Sequence, residues 1–398
     1  MKKGFVYIFL FTLLTVPTLE AESIFASKGL GLPYQFPTTR AMGLGGTILA
    51  FNDAINSSDI NPATLSSIQF TNLSIQYIHE LNTAKDADYT HTTDYGNLHS
   101  FNFNIPTGEN ISVGASIRPL TRTDYYLDLE ITDTGLNYSK TIKSSGGLNR
   151  ASLSIAWGLH PKVQLGLSGH YFFGTFTENW SVKYGRSGFT DSQDEYVTGC
   201  NGFGTTLGLL FKPLENLTIG AVYSPAAKLS TETQLESTFN DTLTSTEGNI
   251  SYPASWGLGF AYSFVGIGHL GLDITSQAWD NLKINDKTST DVNATLSYAA
   301  GFEFLKSENP YASYLRRTAY RIGSFRTALP MRDKNGDAII ESGLSMGLGL
   351  PMLMNRARID LSFAISKRGK ISASDLEETI YRFSVEVIGT EKWFQRRY

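Results

Sequence analysis

The chain has 398 residues and a formal net charge of −4, a balance that argues against a nucleic-acid partner. Its single cysteine, Cys200, excludes an internal disulfide, an iron–sulfur cluster and a zinc site made of cysteines. The 20 Tyr, 24 Phe and 37 Gly are typical of many strands and tight turns, and no mature segment reaches the ~18 apolar residues of a membrane-spanning helix.

The first 21 residues have the pattern of a secretory signal peptide. Lys2 and Lys3 form a charged start, 5–14 is an apolar core too short for a stop-transfer helix, and Ala21 is a suitable cleavage position. The alternative is an uncleaved N-terminal anchor, while lipid attachment is not expected because no Cys follows the cleavage position. The sequence therefore predicts an exported protein.

The stretch 40–65 is too rich in Gly, Asn, Asp and Ser to form a strand or a regular helix. Three glycines between 43 and 46 permit tight bends and a close approach to other groups. Asn61-Pro62 is a turn signal. A compact, non-repeating segment of this kind has to be enclosed by the rest of the chain, and the residues after it form a series of strand-like runs.

Arg-Ala-Met-Gly-Leu-Gly-Gly-Thr at 40–47, followed by Asn-Pro-Ala at 61–63, resembles the N-terminal hatch of the FadL-type outer-membrane transport proteins. The residues that carry this hatch motif are Arg40, Met42, Gly43, Gly45, Gly46, Asn61, Pro62 and Ala63. The resemblance implies a signal peptide at 1–21, a hatch at 22–67 and a fourteen-stranded barrel at 68–398 that encloses the hatch. Members of that family move long-chain fatty acids or aromatic hydrocarbons across the outer membrane.

After the hatch, strand-like runs alternate with short turns, such as 160–162, and with long polar connections, such as 120–148. Short periplasmic turns and longer extracellular loops are typical of outer-membrane barrels. Counted with the family in mind, the sequence predicts fourteen strands. They lie near 68–79, 98–106, 110–119, 149–159, 163–176, 202–212, 216–226, 251–264, 268–279, 294–305, 317–328, 341–350, 356–366 and 379–389.

Alternation of apolar and polar residues supports these strands independently. In 356–366, Leu361 and Phe363 point to one face while Asp360 and Ser362 point to the other. The same pattern occurs in 98–105, 151–159 and 379–388. A soluble sandwich has the same period, but its strands are nearer ~5–6 residues than the ~9–11 of a membrane strand. The predicted fold is therefore all-β, an antiparallel transmembrane barrel of the outer membrane.

The C-terminal third adds to the resemblance through 314–323, through Gly-Leu-Ser-Met-Gly-Leu-Gly-Leu-Pro at 343–351 and through a final aromatic, Tyr398. Such an aromatic end implies insertion by the outer-membrane assembly machinery. The tail after Gly389 breaks the alternation. Either the last strand ends near Gly389 and the tail lies at the membrane interface, or the predicted register of this strand is wrong.

No pattern in the chain indicates an enzyme or a metal site. The six histidines are His79, His91, His99, His160, His170 and His269, and none lies in a nucleophile-elbow or HExxH motif. We expect them to be solvated or interfacial. The Asp-x-Asn-x-Asp pattern at 333–337 lacks the Gly and Glu of a calcium loop and is better interpreted as an exposed turn, so no cofactor is expected.

Charges on the polar faces of the predicted strands mark the lumen, because charges on the lipid side are costly. They are Asp273, Glu303, Arg321, Arg356, Arg358, Asp360, Arg382 and Glu386. One interpretation is that these residues form ion pairs that hold the barrel and the hatch together. The other is that they form a polar route or a head-group site for an amphipathic ligand.

The resemblance also implies that the first hatch residues contact the ligand, which here are Ile24 and Phe25. The predicted inner faces offer few large apolar partners for these side chains, so we expect a bound acyl chain or hydrocarbon beside them. Arg356 or Arg358 could then meet a carboxylate head.

FadL-type proteins open sideways through a kink in the third strand. The third predicted strand, 110–119, contains Gly114 and ends at Pro119. Because Pro donates no hydrogen bond to a sheet, a weak seam at this place is physically reasonable.

The function predicted from these features is passive uptake of hydrophobic small molecules, long-chain fatty acids or aromatic hydrocarbons, by a monomer that contacts membrane lipid. The alternative is a barrel of the same fold that serves as a scaffold or attachment component of a protein secretion system, as in PorV-like relatives. An open porin is disfavoured because the hatch should block the lumen.

Overall fold

The computed structural model describes residues 23–393 except 56, 58, 109, 134–135, 186–187 and 353–355. The predicted signal peptide and the last five residues, including Tyr398, lie outside the described residues. Among the described residues, no helix is both long and apolar enough to cross a membrane.

Fourteen antiparallel strands form a closed barrel, as predicted. They are β1 Thr71–Lys85, β2 Thr90–Pro106, β3 Ile111–Pro119, β4 Leu136–His160, β5 Val163–Tyr184, β6 Ser192–Leu214, β7 Leu217–Ser224, β8 Ser255–Phe264, β9 Gly268–Gln277, β10 Thr295–Phe304, β11 Ala319–Arg332, β12 Ala338–Met352, β13 Ala357–Gly369 and β14 Glu377–Glu391. The ring closes where β14 pairs with β1, from Thr71 opposite Glu391 to Lys85 opposite Glu377.

Several segments predicted to be long loops are largely strand. β4, β5 and β6 contain 25, 22 and 23 residues and rise well beyond the ~9–11 residues that cross the membrane. Further strands at this long-connection end are Tyr125–Asp133, Ala227–Ser237, Asn240–Tyr252, Lys283–Ile284 and Lys287–Thr288. These extensions were not predicted as strands because both of their faces contain polar residues, so that no alternation of apolar and polar residues marks them.

The remaining elements are short. Helical turns occur at Ile24–Ser27, Thr39–Gly43, Pro62–Ser67, Trp279–Asn281, Tyr314–Arg317 and Ile371–Ser374. Leu32–Pro33 pairs with Thr121–Arg122 in a two-stranded sheet separate from the barrel ring. None of the described helical segments exceeds two turns, so the barrel provides the rigid frame of the molecule.

The predicted alternation of faces is confirmed. On β4, Leu153, Ile155 and Trp157 are exposed on the outside, while Ser152 and Ser154 are buried on the inside. Exposed apolar side chains form a band around the barrel that suits a lipid environment. The last strand ends at Glu391, and the ring of Trp393 packs edge-on against Phe103 at 5.9 Å. The strand therefore ends two residues beyond the predicted Gly389, with its pairing to β1 in register. The placement of the tail at the membrane interface stays a prediction.

The described residues between 23 and 70 lie inside the ring of strands and contact its inner wall on several sides. The backbone N–H of Thr39 donates to Glu386 on β14, and that of Gly45 donates to Ser345 on β12. On another side, the Asn61 amide donates to the Leu209 carbonyl on β6. We call residues 23–70 the luminal segment.

Candidate functional site

The glycines of the motif let the luminal segment approach the wall at backbone distance. A Cβ added to Gly43 would lie 2.8 Å from Ser362 Oγ, and one added to Gly45 would lie 2.5 Å from the backbone of Ser324. Gly45 also has a φ of +66°, a conformation that favours glycine. Met42, next to Gly43, is fully buried and packs in an apolar cluster with Phe36. The motif is therefore a docking surface for β11, β12 and β13.

The Asn-Pro-Ala part of the motif docks on the other side of the lumen. Asn61 Oδ1 accepts from Ala63 N at 3.1 Å and so caps the short helix Pro62–Ser67. The wall is thinned opposite this turn by Gly166 and Gly208, where an added Cβ would lie 2.2 Å from Ala63 N and 2.3 Å from Asn61 Oδ1. Glycines on both partners thus explain the close contact.

Six charged side chains of alternating sign form a closed ring between the luminal segment and the wall. In order, they are Arg40, Glu303, Arg321, Asp360, Arg358 and Asp53. The N–O distances are 2.6 Å for Arg321–Glu303, 2.7 Å for Arg321–Asp360 and 2.7 Å for Arg358–Asp53. Arg40 closes the ring, 3.1 Å from Glu303 and 3.8 Å from Asp53. Every charge in the ring is matched, which a buried ion-pair network requires.

This ring changes the interpretation of two predicted ligand-binding residues. Arg358 is already paired with Asp53 and Asp360. Arg356 lies in the turn before β13 and is exposed. The prediction that it is one of the luminal charges was therefore wrong. Because a residue next to a turn is not constrained by the strand period, its place in the alternation did not determine its side.

A second chain of ion pairs joins the wall at the long-connection end. Arg382 contacts Glu80 and Glu341, and Arg368 contacts Glu341 and Glu378. Ser23, at the start of the luminal segment, donates from its hydroxyl to Glu378 Oε1 at 2.6 Å. The described N-terminus is therefore held against β14.

A third charged group holds Asp59 of the luminal segment. Arg118 Nε lies 3.1 Å from Asp59 Oδ1, and Arg150 Nη2 contacts Asp59 Oδ2. Ser152 Oγ also donates to Asp59 at 3.4 Å. Burial alone would raise the pKa of the Asp59 carboxyl, but the two guanidiniums hold that pKa below its ordinary value. Asp59 is therefore a buried carboxylate shared by two cations.

A cavity of about 270 Å³ lies between the luminal segment and the wall. Its lining includes the aromatic side chains of Tyr34, Phe36, Phe172, Tyr252, Trp279 and Phe325. Arg118 and Arg150 line it as well, together with Asp273, whose Oδ2 accepts from Ile48 N at 2.7 Å and Leu49 N at 2.9 Å. Ser, Thr and Gln side chains contribute much of the remaining lining, so aromatic and polar surfaces meet in this cavity. Small-molecule sites likewise combine apolar and aromatic side chains with polar groups that fix the orientation of the ligand.

Neither Ile24 nor Phe25 is among the described residues that line this cavity. Phe25 is buried in an apolar cluster with Tyr125, Leu329 and Met331, and Ile24 is 43% exposed. The expectation that few large apolar side chains would meet Phe25 was wrong. The partners come from extensions above the membrane strands, where the alternation of the sequence gives no guidance.

Two histidines contradict the expectation that all six are solvated or interfacial. His170 is buried on β5, with Nδ1 2.9 Å from Ser152 Oγ and Nε2 2.7 Å from Thr206 Oγ1. His99 is buried on β2, and its ring lies 4.7 Å from that of Tyr34. Both side chains face inward, and they are buried because protein fills the lumen at these positions.

The third strand turns inward after Pro119. Of β2, only residues 101–106 pair with β3. Gly114 lies in the regular part of β3, where it pairs with Asn104 on β2 and with Ser154 on β4. All of 120–125 is buried, and Thr121–Arg122 pairs with Leu32–Pro33 instead of continuing the wall. Among the described strands, only β1 pairs with β2 over 90–100. The wall therefore has a seam beside the luminal segment.

A family model named BamG matches residues 1–398, the whole chain. The chain is a member of the BamG family. No curated protein matches this BamG-family chain. Its fold is similar to that of CymD, a monoaromatic hydrocarbon channel, with 16% identity and a TM-score of 0.58 over 92% of this chain and 99% of CymD.

Two further solved structures share the fold. A Pseudomonas aeruginosa FadL homologue is 13% identical with a TM-score of 0.60, over 90% of the BamG-family chain and 99% of its own. The Pseudomonas putida toluene transporter TodX is 14% identical with a TM-score of 0.59, over 91% and 99%. At these identities the likeness shows the fold, which is the FadL-type outer-membrane barrel.

Of the charged residues that line the cavity of this BamG-family chain, the sequence predicted Asp273 but not Arg118 and Arg150. Arg118 and Arg150 lie on the same strand faces as Ser116 and Ser152, which point inward. Because each arginine lies two residues from one of these serines, strand alternation could have placed both arginines among the predicted luminal charges. Their shared partner Asp59 could not be found in this way, because the luminal segment has no regular period.

Proposed function

We propose that this chain is an outer-membrane channel for passive uptake of small hydrophobic molecules, in which 22–67 acts as a hatch that gates the lumen. The observation that carries the proposal is the aromatic-lined cavity between the luminal segment and the wall. The seam after Pro119 supplies a lateral exit toward the membrane. At about 270 Å³, the cavity is at the small end of ligand sites, which span about 300–1,000 Å³, and so favours single-ring compounds over extended acyl chains.

The remaining steps belong to the same proposal. Residues 1–21 direct export, and the assembly machinery of the outer membrane inserts 68–398. The channel then works as a monomer in lipid, without a cofactor and without an energy source.

Two neighbouring alanines on β10 allow a matched test. Ala299 lines the cavity, whereas Ala300 pairs with the outward-facing Leu272 and so faces lipid. We expect Ala299→Phe to fill the cavity and to abolish saturable toluene binding by the purified protein and toluene uptake by cells. Ala300→Phe should retain both. Equal binding and uptake in the two variants would remove the cavity from the route.

The scaffold alternative is favoured by one different observation. β4, β5 and β6, extended by the hairpin 227–252, form a sheet far taller than a membrane crossing needs. Such a sheet offers an edge and a face to another protein. If no hydrocarbon binds, and an exported protein co-purifies with the full chain but not with a chain whose 231–248 is replaced by a two-residue turn, the scaffold is the better function.

A further inference from the structure

The cavity has a cationic end that uptake of neutral hydrocarbons does not require. Arg118 and Arg150 both line it and are 6% and 9% exposed. Both pair with the same carboxylate, that of Asp59. Two buried positive charges therefore share one negative charge, and a buried charge without a full partner is costly.

One donor at this end has no partner. Among the described residues, nothing accepts a hydrogen bond from Arg150 Nε, which is buried. A buried guanidinium donor is strongly favoured to meet an acceptor, above all an anionic one. The hydroxyl of Thr206, which also lines the cavity, already contacts His170 and Ser224.

The rest of the cavity suits a flat apolar body. The rings of Phe172 and Tyr252 lie 5.2 Å apart, and those of Tyr252 and Trp279 lie 5.8 Å apart in an edge-on arrangement. Aromatic side chains in such arrangements offer both faces and edges to a further ring. The carboxylate of Asp273 belongs to a different strand, β9, and is held by two backbone N–H groups. It would repel an anion, so a charged ligand is oriented with its anion toward the arginines.

We propose that the cavity selects single-ring aromatic anions, such as arenecarboxylates, whose negative group binds at Arg118 and Arg150 in place of Asp59. This inference rests on the proposed function, of which it specifies the substrate class. Because the ligand anion takes over the role of Asp59, its binding also loosens the luminal segment around that residue. Recognition of the ligand and release of the hatch then occur together, when the ligand anion replaces Asp59 as the counter-ion of the two arginines.

The test compares benzoate with nitrobenzene, which has the same shape but no net charge, by calorimetric titration of the purified full-length protein. We expect benzoate to bind the wild type about tenfold to a hundredfold more tightly than nitrobenzene, the range of one charge-assisted hydrogen bond. Arg150→Gln should remove this preference, because benzoate affinity falls far more than nitrobenzene affinity. Arg150→Lys, which keeps the charge, should retain part of it, and Arg356→Gln, exposed outside the cavity, should behave as the wild type.

The outcomes separate this inference from the proposed function. Saturable nitrobenzene binding without a preference for benzoate overturns the anion site and leaves the channel intact. Equal weakening of both ligands by Arg150→Gln also overturns it, because the arginine then acts only through the structure. If neither compound binds, the cavity is not a ligand site and both proposals fall. Heat-modifiable migration on a gel checks that each variant is folded.

Discussion

The carboxylate of Asp59, in the luminal segment, forms ion pairs with two arginines of the wall. It lies between Arg118 and Arg150, and both guanidiniums are buried. Removing one partner of a buried ion pair typically costs about 3–5 kcal/mol, because the other charge is left uncompensated. Docking of this part of the luminal segment should therefore depend on a single carboxylate.

We expect Asp59→Asn to weaken docking of the luminal segment while the barrel remains folded. Ionic current through the protein in planar bilayers should rise or fluctuate, and the segment should become sensitive to added protease. Asp86→Asn is the control, because the donors to Asp86 among the described residues are the backbone N–H groups of Asp88 and Tyr89 in its own turn. Identical currents in the wild type and both variants would contradict a role for Asp59 in docking.

The pH dependence of docking follows from the same residue. Because the pKa of Asp59 is lower in the folded protein than its ordinary value of about 3.9, its stabilisation is fully present above that value. It is lost as the pH falls through the lowered pKa. The wild-type current should therefore be constant from about pH 8 to pH 5 and rise only below about pH 4. Asp59→Asn should already carry the raised current at neutral pH.

At the scale of the element, the third strand departs most from a regular barrel. After Pro119 the chain leaves the wall, and Leu120 accepts a backbone hydrogen bond from Tyr34 of the luminal segment at 2.9 Å. β4 accommodates this turn with Gly146 and Gly147, which have φ values of +113° and +150°. A Cβ on Gly147 would lie 2.1 Å from the Thr121 carbonyl oxygen. The inward turn thus depends on a glycine in a different strand.

We expect Gly147→Ala to displace 120–124 and to reduce uptake of toluene several-fold without loss of the barrel. Both the positive φ and the close carbonyl oppose the added methyl group. Gly199→Ala on β6 is the matched control, since its Cβ would meet nothing nearer than 3.9 Å. Uptake per folded protein is the measurement, and equal uptake by the two variants would contradict a lateral exit at this seam.

What the sequence could predict at this scale depended on whether a face meets lipid. Leu153 and Ser152 were assigned correctly because lipid requires an apolar neighbour and the lumen does not. The last eight residues of β5, 177–184, fell outside the predicted strand because neither of their faces meets lipid. In the site, the motif glycines were identified from their residue type, but Ser324 and Ser362, the wall residues that they meet, follow from the closed topology rather than from any local pattern.

At the scale of the whole molecule, the wall and the luminal segment are joined by side chains rather than by shared strands. β14 and β1 close the ring through fifteen registered residue pairs. Within the described chain, the only strand pairing of the luminal segment is that of Leu32–Pro33 with Thr121–Arg122, which is separate from the barrel ring. The backbone hydrogen bonds of the wall are therefore independent of the segment that fills it.

Removal of 22–66 should consequently leave a folded barrel that conducts ions better than the full chain. A barrel of fourteen strands encloses a wide lumen once its contents are removed, because the diameter grows with the number of strands. The deletion also removes Arg40, Asp53 and Asp59, so that Arg118 and Arg150 lose their shared carboxylate and face an open lumen. The new conductance should therefore favour anions.

Two measurements on the deleted protein decide the matter. Heat-modifiable migration on a gel should match that of the full chain, and single-channel conductance in planar bilayers should be several-fold higher, with a reversal potential in a salt gradient that indicates anion preference. Arg150→Gln in the deleted background should reduce that preference while the conductance stays high. A folded deletion variant with the conductance of the full chain would mean that the lumen is closed by the wall itself, and that 22–67 is not a hatch.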